Sequence, residues 1–188
     1  MPVALSGVAG IVAAAWQSAS PAAGTGTDPR TWTIYWLAVA VAALAIGCSG
    51  ILWRYMREES LAEQHRTQQV LAQFLPSLVA AACITVGLLG VNPALASCLP
   101  GVWALLFGVG IFSARPYLPM AAPVVSAYYA IAGVALLWAF ATNALPPGGI
   151  APAFAWSVGG VFGVGQLLAA GALYWSLERN STEDTING

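Results

Sequence analysis

A nearly uncharged stretch limits what this chain can fold into. Residues 67–177 span 111 positions and include one charged residue, Arg115. A water-soluble domain carries about 25% charged residues, whereas here charged residues make up 7% of the chain and hydrophobic residues 59%. Long apolar runs with so few charges are typical of helices that cross a lipid bilayer. The sequence therefore predicts an all-α, polytopic membrane helical bundle.

Six apolar runs account for the predicted transmembrane helices, because a crossing helix needs about 20 mostly apolar residues. No basic residue precedes the first run, as one would in a secretory signal peptide, so we favour a retained helix there. That run is short, and the number of spans is five if it does not cross. Residues 1–177 form one transmembrane domain and residues 178–188 a cytoplasmic tail. The runs are 2–18, 32–53, 74–91, 98–114, 118–143 and 153–177.

The arginines predict which side of the bundle faces the cytoplasm. Cytoplasmic loops are enriched in Lys and Arg. With six spans only Arg30 lies on one side, and the five-span alternative gives the same sidedness. Both termini are therefore predicted to be cytoplasmic. The arginines of the other side are Arg54, Arg57, Arg66, Arg115 and Arg179.

Arg115 is predicted to be a topology marker in a tight cytoplasmic turn, because Pro116 and Pro119 prevent one continuous helix. The alternative is an intramembrane arginine that faces a cavity, which would be a functional site. The only sizeable polar stretch, residues 54–73, is predicted to form a cytoplasmic helix that serves as a contact surface.

The predicted spans contain almost no groups that titrate, attack or bind metal, and catalysis needs such groups. No Asp, Glu, Lys or His lies inside any span, which argues against proton-coupled transport. The single histidine, His65, cannot build a metal site of the usual kind. The basic residues form no patch, so nucleic-acid binding has no electrostatic support. We expect no enzyme activity, no cofactor and no metal.

Inside the predicted spans, the residues with a possible functional role are neutral polar residues and glycines. The amide of Gln166 at mid-bilayer needs a partner, which is either another helix of the chain, a ligand or a neighbouring protomer. Small residues four apart let helices approach closely, either inside one bundle or between copies. The candidate neutral contacts are Ser126, Tyr128, Tyr129 and Gln166, and the candidate packing residues are Gly159, Gly160 and Gly163.

Aromatic residues near the predicted helix ends are expected to form belts at the membrane interface. Trp32, Tyr35 and Trp36 cluster at the start of the second helix. The three cysteines, Cys48, Cys83 and Cys98, are scattered without metal-ligand spacing. They are predicted to be small buried apolar residues.

Two functions of different class are compatible with these features. The favoured one is a non-enzymatic accessory or sensory subunit in the lipid bilayer, which acts through helix packing and association with itself or with another membrane protein. The alternative is a small facilitative channel or transporter for a neutral or lipophilic solute, with a path lined by the neutral contacts named above.

Ten residues in the third and fourth predicted helices give the chain a resemblance to a family. The matching residues are Phe74, Pro76, Leu78, Leu99, Pro100, Gly101, Trp103, Leu105, Leu106 and Gly108. This pattern resembles bacterial multi-pass integral membrane proteins of the LPGxWxLLxG type, as in Acidobacteria-like and Gemmatimonas-like genomes, for which no activity is established. The resemblance implies six spans and a location in the inner membrane of a bacterium. Two departures are the direct start at the first helix, where such proteins have a polar segment, and Gln166, where they often have His.

Overall fold

Six α-helices account for almost all of the chain that the computed structural model describes, and this part of the chain has no β-strand. The described backbone covers residues 2–19, 29–57, 61–142 and 152–187, with side chains at 3–19, 30–46, 49, 65, 67–142 and 154–175. The prediction of an all-α helical bundle is confirmed. The helices are α1 (Pro2–Ala19), α2 (Pro29–Arg57), α3 (Leu61–Val91), α4 (Leu99–Ser113), α5 (Ala122–Ala141) and α6 (Pro152–Asn187).

Four helical segments in the described ranges are long and apolar enough to cross a membrane. They are Thr67–Val91, Pro93–Ser113, Ala122–Ala141 and Phe154–Trp175. Two further segments, Val3–Ala19 and Arg30–Ile46, are apolar but shorter. The chain is therefore a polytopic helical membrane protein.

Helix α4 reaches membrane-spanning length with the help of a 3₁₀ helix. Its 15 residues are about 22 Å long at 1.5 Å per residue, less than the ~30 Å hydrocarbon layer. The six residues Pro93–Cys98 add about 2 Å each in 3₁₀ geometry. The Asn92 side chain caps this segment by accepting a hydrogen bond from the backbone N–H of Ala94 at 3.1 Å.

Neighbouring helices run antiparallel and pack in pairs. The most extensive contacts are those of α1 with α6 and of α4 with α5. Helix α3 packs on α4, α2 packs on α1, and α5 meets α6. One end of the bundle therefore holds the starts of α2, α4 and α6, and we call it the Trp32 end. The opposite end holds the turn from α4 to α5, and we call it the Arg115 end.

Several helix boundaries differ from the predicted spans. Helix α5 begins at Ala122 instead of residue 118, because Leu118 is extended and Pro123 occupies the first turn of the helix, where proline is tolerated. For the polar segment 54–73, helix is described up to Arg57 in α2 and from Leu61 in α3, and residues 58–60, which decide whether it is one helix, lie outside the described part. The backbone of α6 stays helical beyond residue 177, as far as Asn187.

Candidate functional site

The hydroxyl groups that the sequence singles out at depth all bond to backbone carbonyls of another helix. Each of these bonds joins α5 to α4 or α6, and each occupies the hydroxyl proton. Exposed hydroxyls of this chain, such as those of Ser18 and Thr142, instead donate to carbonyls of their own helix. The bonds are Ser126 Oγ to Gly108 O at 2.9 Å, Tyr128 OH to Val161 O at 2.9 Å and Tyr129 OH to Phe162 O at 3.3 Å.

Tyr129 is the most enclosed of these residues, with no exposed surface. Its ring meets Phe107 with centroids 4.8 Å apart and Phe162 at 5.5 Å. The ring also fills the space where a side chain on Gly165 would stand. Tyr129 therefore works as a packing residue between α4, α5 and α6.

The predicted packing glycines have different surroundings. Gly159 and Gly163 face α1: a Cβ on Gly159 would lie 2.5 Å from the carbonyl oxygen of Gly10, and one on Gly163 would lie 3.0 Å from that of Gly7. Gly160 points elsewhere, because the atoms nearest to a Cβ there belong to Trp156 of the same helix. The close approach of α1 and α6 thus depends on Gly159 and Gly163.

Gln166 and Arg115 stand apart from these contacts. Gln166 is half-buried beside Gly7 of α1, and its amide makes no hydrogen bond to any other described residue. Arg115 is exposed in the 3₁₀ helix Arg115–Tyr117 between α4 and α5, with its guanidinium carbon 5.2 Å from the centroid of the Phe112 ring. The structure places Arg115 in a turn at one end of the bundle.

A buried tryptophan cluster at the Trp32 end is the feature that the sequence reasoning missed. Trp32 and Trp36 are each 2% exposed, so their rings point into the bundle, a direction that the predicted interfacial belt does not specify. The Trp32 ring lies parallel to that of Trp103, with centroids 6.2 Å apart, and 4.4 Å from that of Phe154. These rings come from α2, α4 and α6. Tryptophans that do face outward are Trp16, Trp138, Trp156 and Trp175.

The polar atoms of the tryptophan cluster are only partly satisfied. Trp36 Nε1 donates to Gln17 Oε1 at 3.0 Å, and Trp103 Nε1 donates to Thr85 Oγ1 at 2.8 Å. Trp32 Nε1 and Gln17 Nε2 are buried with no partner, and they are the two such side-chain atoms in the described part of the chain. An unpartnered buried donor costs about 1–3 kcal/mol. Both unpartnered groups are donors, so what the cluster lacks is an acceptor.

One sequence signal for this cluster existed. Trp32 and Trp36 are four residues apart and share one face of α2, and Trp103 also follows closely on a helix start. That pattern does not separate a face turned to lipid from a face turned to neighbouring helices. Only the contact of α1 with α2 and α6 places the tryptophans inside.

Neither metal chemistry nor similarity to known proteins identifies the site further. In the ranges with described side chains, no three His, Cys, Asp or Glu residues gather where they could hold a metal ion. Comparison with family models, with curated proteins and with solved structures finds no match.

Proposed function

We propose that the protein is a non-enzymatic membrane component, an accessory or sensory subunit that acts by associating with a second copy of itself through α3. The observation that carries the proposal is an outward face of α3 with small residues against which no other described part of the chain packs. In the most apolar stretch of α3 only 6% is buried inside the molecule, against 22–44% in the other three candidate spans.

Two glycines make this face unusual. A Cβ on Gly87 or on Gly90 would meet no atom of the described residues within 4 Å. Glycine in a helix is about 1 kcal/mol less favourable than alanine, and close helix approach is what offsets that cost in membranes. Gly159 and Gly163 are offset in this way within the chain. A neighbouring helix from a second copy would do the same for α3.

The same face carries a cysteine that can report the contact. Cys83 is exposed, so the prediction that it is a buried apolar residue is wrong. It lies one helical turn from Gly87, and residues three and four apart share a helix face. Two copies with the same orientation in the membrane would pair their α3 helices in parallel, and the two Cys83 side chains would come close if α3 packs on α3 along this face.

Oxidative crosslinking in native membranes tests the proposal. A variant that keeps only Cys83 (Cys48→Ser, Cys98→Ser) should give a reducible dimer when a mild oxidant is added. A matched control carries its one cysteine at Val134, which is 57% exposed on the outside of α5, and should stay monomeric. A Cys83 chain that crosslinks no more than the Val134→Cys chain would contradict the proposal.

A glycine substitution separates a specific contact from random collision. Gly87→Leu adds a bulky side chain where the monomer has free space, so the fold should be kept and the Cys83 dimer lost. Gly171 of α6 also has no atom within 4 Å of a Cβ position, and Gly171→Leu should leave the dimer unchanged. Equal loss in both variants would mean that bulk alone, at any outward site, disturbs the crosslink.

The hydrogen bonds of the α5 hydroxyls favour this proposal over a channel or transporter. A solute moving along Ser126, Tyr128 and Tyr129 would have to compete with the carbonyls that these hydroxyls already bind. Gln166 is the remaining neutral group at depth that no described residue engages.

The proposed setting is a bacterial inner membrane with both termini in the cytoplasm. The support is the sequence: five of the six arginines fall at the Arg115 end of the helices and Arg30 at the other, and cytoplasmic loops are rich in such residues. Cysteine labelling at positions 115 and 30 from each side of the membrane tests this. The polar segment 54–73 would be a second contact surface in the cytoplasm; its side chains at 54–64 and 66 lie outside the described residues.

A further inference from the structure

We propose that the polar end of α3 is a movable arm that pivots at Pro76. The arm consists of residues 61–75, and the fixed part of α3 consists of residues 77–91, which stay packed on α4. The face of α3 that carries Cys83 belongs to the fixed part. The proposal therefore goes beyond association through α3 and does not depend on it.

A proline inside a helix removes one backbone hydrogen bond. Pro76 lies inside α3 (Leu61–Val91), and it has no N–H to donate to the carbonyl of Ala72, four residues earlier. Its ring also pushes against that carbonyl, and proline is one of the few causes of sharp helix bends. The backbone of α3 is therefore weakened near its midpoint.

The missing hydrogen bond lies close to the Arg115 end of the bundle. Pro76 precedes Ser77, and a Cβ on Gly110 of α4 would be 3.3 Å from the Ser77 Cβ. Helix α4 ends at Ser113, about 5 Å further along its axis, and the turn that follows contacts α3. Ala72 lies one helical turn beyond Pro76 and is exposed. Water and lipid headgroups can bind its carbonyl there, whereas an unpaired carbonyl deep in the hydrocarbon would be costly.

The two parts of α3 differ in how firmly they pack. In the fixed part, Thr85 is buried, and its hydroxyl accepts a hydrogen bond from Trp103 Nε1 of α4 at 2.8 Å. In the arm, Phe74 contacts Phe107 of α4, with ring centroids 5.0 Å apart. None of the described side chains at 67–73 is buried. The fixed part is thus held inside the bundle, whereas the described side chains of the arm pack on it mainly beside the pivot.

Helix α2, which precedes the arm, has a weak point of its own. Ser49 Oγ donates to the carbonyl of Ile46 at 2.8 Å, and Gly50 follows in the sequence. A serine that bonds to the preceding turn and a Gly/Ser pair both favour helix bending. None of the described side chains at 37–46 is buried. The end of α2 is therefore able to follow the arm, to which residues 58–60 connect it.

Helix geometry sets the size of the motion. The helix opens on the side of the proline ring, which is exposed, so the arm bends toward the opposite side, where α4 lies. Gln68 is about 12 Å from Pro76 at 1.5 Å per residue. A bend of ~20°, the lower limit of a sharp kink, therefore moves Gln68 by about 4 Å relative to the bundle.

Pulsed electron paramagnetic resonance of the full chain in liposomes tests the proposal. In a chain with every cysteine replaced by serine, one spin-label pair joins Gln68 of the arm to Val124, which is 68% exposed on α5. A control pair joins Val86 of the fixed part to Ile131 of α5, which are 73% and 70% exposed. An excess of unlabelled chain restricts the measured distances to one chain, whether or not copies associate.

The arm should give a broader distance distribution than the fixed part. We expect the Gln68–Val124 distances to spread by about 4 Å more than the Val86–Ile131 distances. Pro76→Ala, which restores the missing N–H, should narrow the first distribution and leave the second unchanged. A Gln68–Val124 distribution of equal width with proline and with alanine would overturn the pivot. A Val86–Ile131 distribution as broad as that of the arm would overturn it too, because α3 would then move as a whole.

Hydrogen exchange of the unlabelled wild-type chain keeps the test decisive if Pro76→Ala does not fold. Amides at 73–79 should exchange faster than those at 126–132 of α5, which lie at a similar level because Ser126 bonds to Gly108 of α4. Equal protection of the two segments would contradict the pivot. Gly50→Ala, which stiffens α2, should also narrow the Gln68–Val124 distribution, and an unchanged width would contradict the part assigned to α2.

Discussion

Gly159→Ala tests whether the α1–α6 contact holds this bundle together. The added methyl would lie 2.5 Å from both the Ala14 Cβ and the Gly10 carbonyl oxygen and 2.9 Å from Cη2 of Trp36. Two of these three atoms belong to α1, and one of those two is backbone, so relief requires the whole helix to move. Overpacking of this kind costs about 1–3 kcal/mol.

Replacing glycine by alanine also stabilises a helix, and this stabilisation can be measured separately from the steric cost in the same helix, α6. Alanine is favoured over glycine by about 1 kcal/mol in a helix. Gly171→Ala should show this stabilisation without a steric cost, because no atom of the described residues lies within 4 Å of its Cβ position. We therefore expect Gly159→Ala to be destabilising by up to about 2 kcal/mol, and Gly171→Ala to be neutral or stabilising. For a chain of this size 1 kcal/mol shifts Tm by roughly 2–4 °C.

Thermal unfolding in one detergent, followed by tryptophan fluorescence, measures both variants under matched conditions. Because Trp36 contacts the Gly159 site, the emission of the folded Gly159→Ala variant should also change, while that of Gly171→Ala should not. If the two substitutions shift Tm in the same direction by the same amount, the tight α1–α6 contact does not exist in the detergent-solubilised protein and the reasoning fails.

Three smaller changes test individual hydrogen bonds between helices. Tyr129→Phe removes the bond to the Phe162 carbonyl and should cost about 0.5–1.5 kcal/mol by thermal unfolding; no loss would mean that packing alone holds the ring. Thr85→Val leaves Trp103 Nε1 without its acceptor and should cost about 1–3 kcal/mol, whereas Thr85→Ser should be much milder if the hydroxyl is what matters. Ser126→Ala removes the bond to Gly108 and should cost about 0.6 kcal/mol, and a much larger loss would point to a cavity instead of a lost bond.

Apolar length and charge spacing are enough to predict most of this fold. A helix that must satisfy its own backbone in lipid is the only local option for long apolar runs, so the six helices follow from where those runs lie. The boundaries are harder, because they depend on turn geometry. The proline-rich turn after Arg115 delays α5 to Ala122, and a 3₁₀ segment lengthens α4 before Leu99. Neither the later start of α5 nor the 3₁₀ segment changes the hydrophobic pattern of the sequence.

Polar residues within the bundle are predictable by position but not by role. The sequence locates Ser126, Tyr128 and Tyr129 at depth, yet a hydroxyl that lines a path and one that bonds a facing carbonyl have the same sequence signature. The difference lies in the glycines opposite, because Gly165 leaves the space that the Tyr129 ring fills. That complementarity involves two helices more than thirty residues apart, and no local pattern contains it.

The tryptophans show where the physical argument from sequence is weakest. In water, burial and apolar character go together, so an amphipathic pattern indicates which face is inside. In a bilayer both faces of a helix are apolar, and lipid is as apolar as a neighbouring helix. The rule that tryptophan prefers the interface correctly gives the level of Trp32 along its helix, but it does not give the direction in which the ring points. Trp138 and Trp32 both lie near the same end of the bundle, but Trp138 is 71% exposed and Trp32 is 2% exposed.

What distinguishes an inward tryptophan physically is its N–H, which must find an acceptor once water and lipid are both excluded. Counting donors and acceptors therefore tests the packing of an inward tryptophan where hydropathy cannot: the indoles of Trp36 and Trp103 find acceptors, whereas Trp32 Nε1 is buried without one in the described part of the chain.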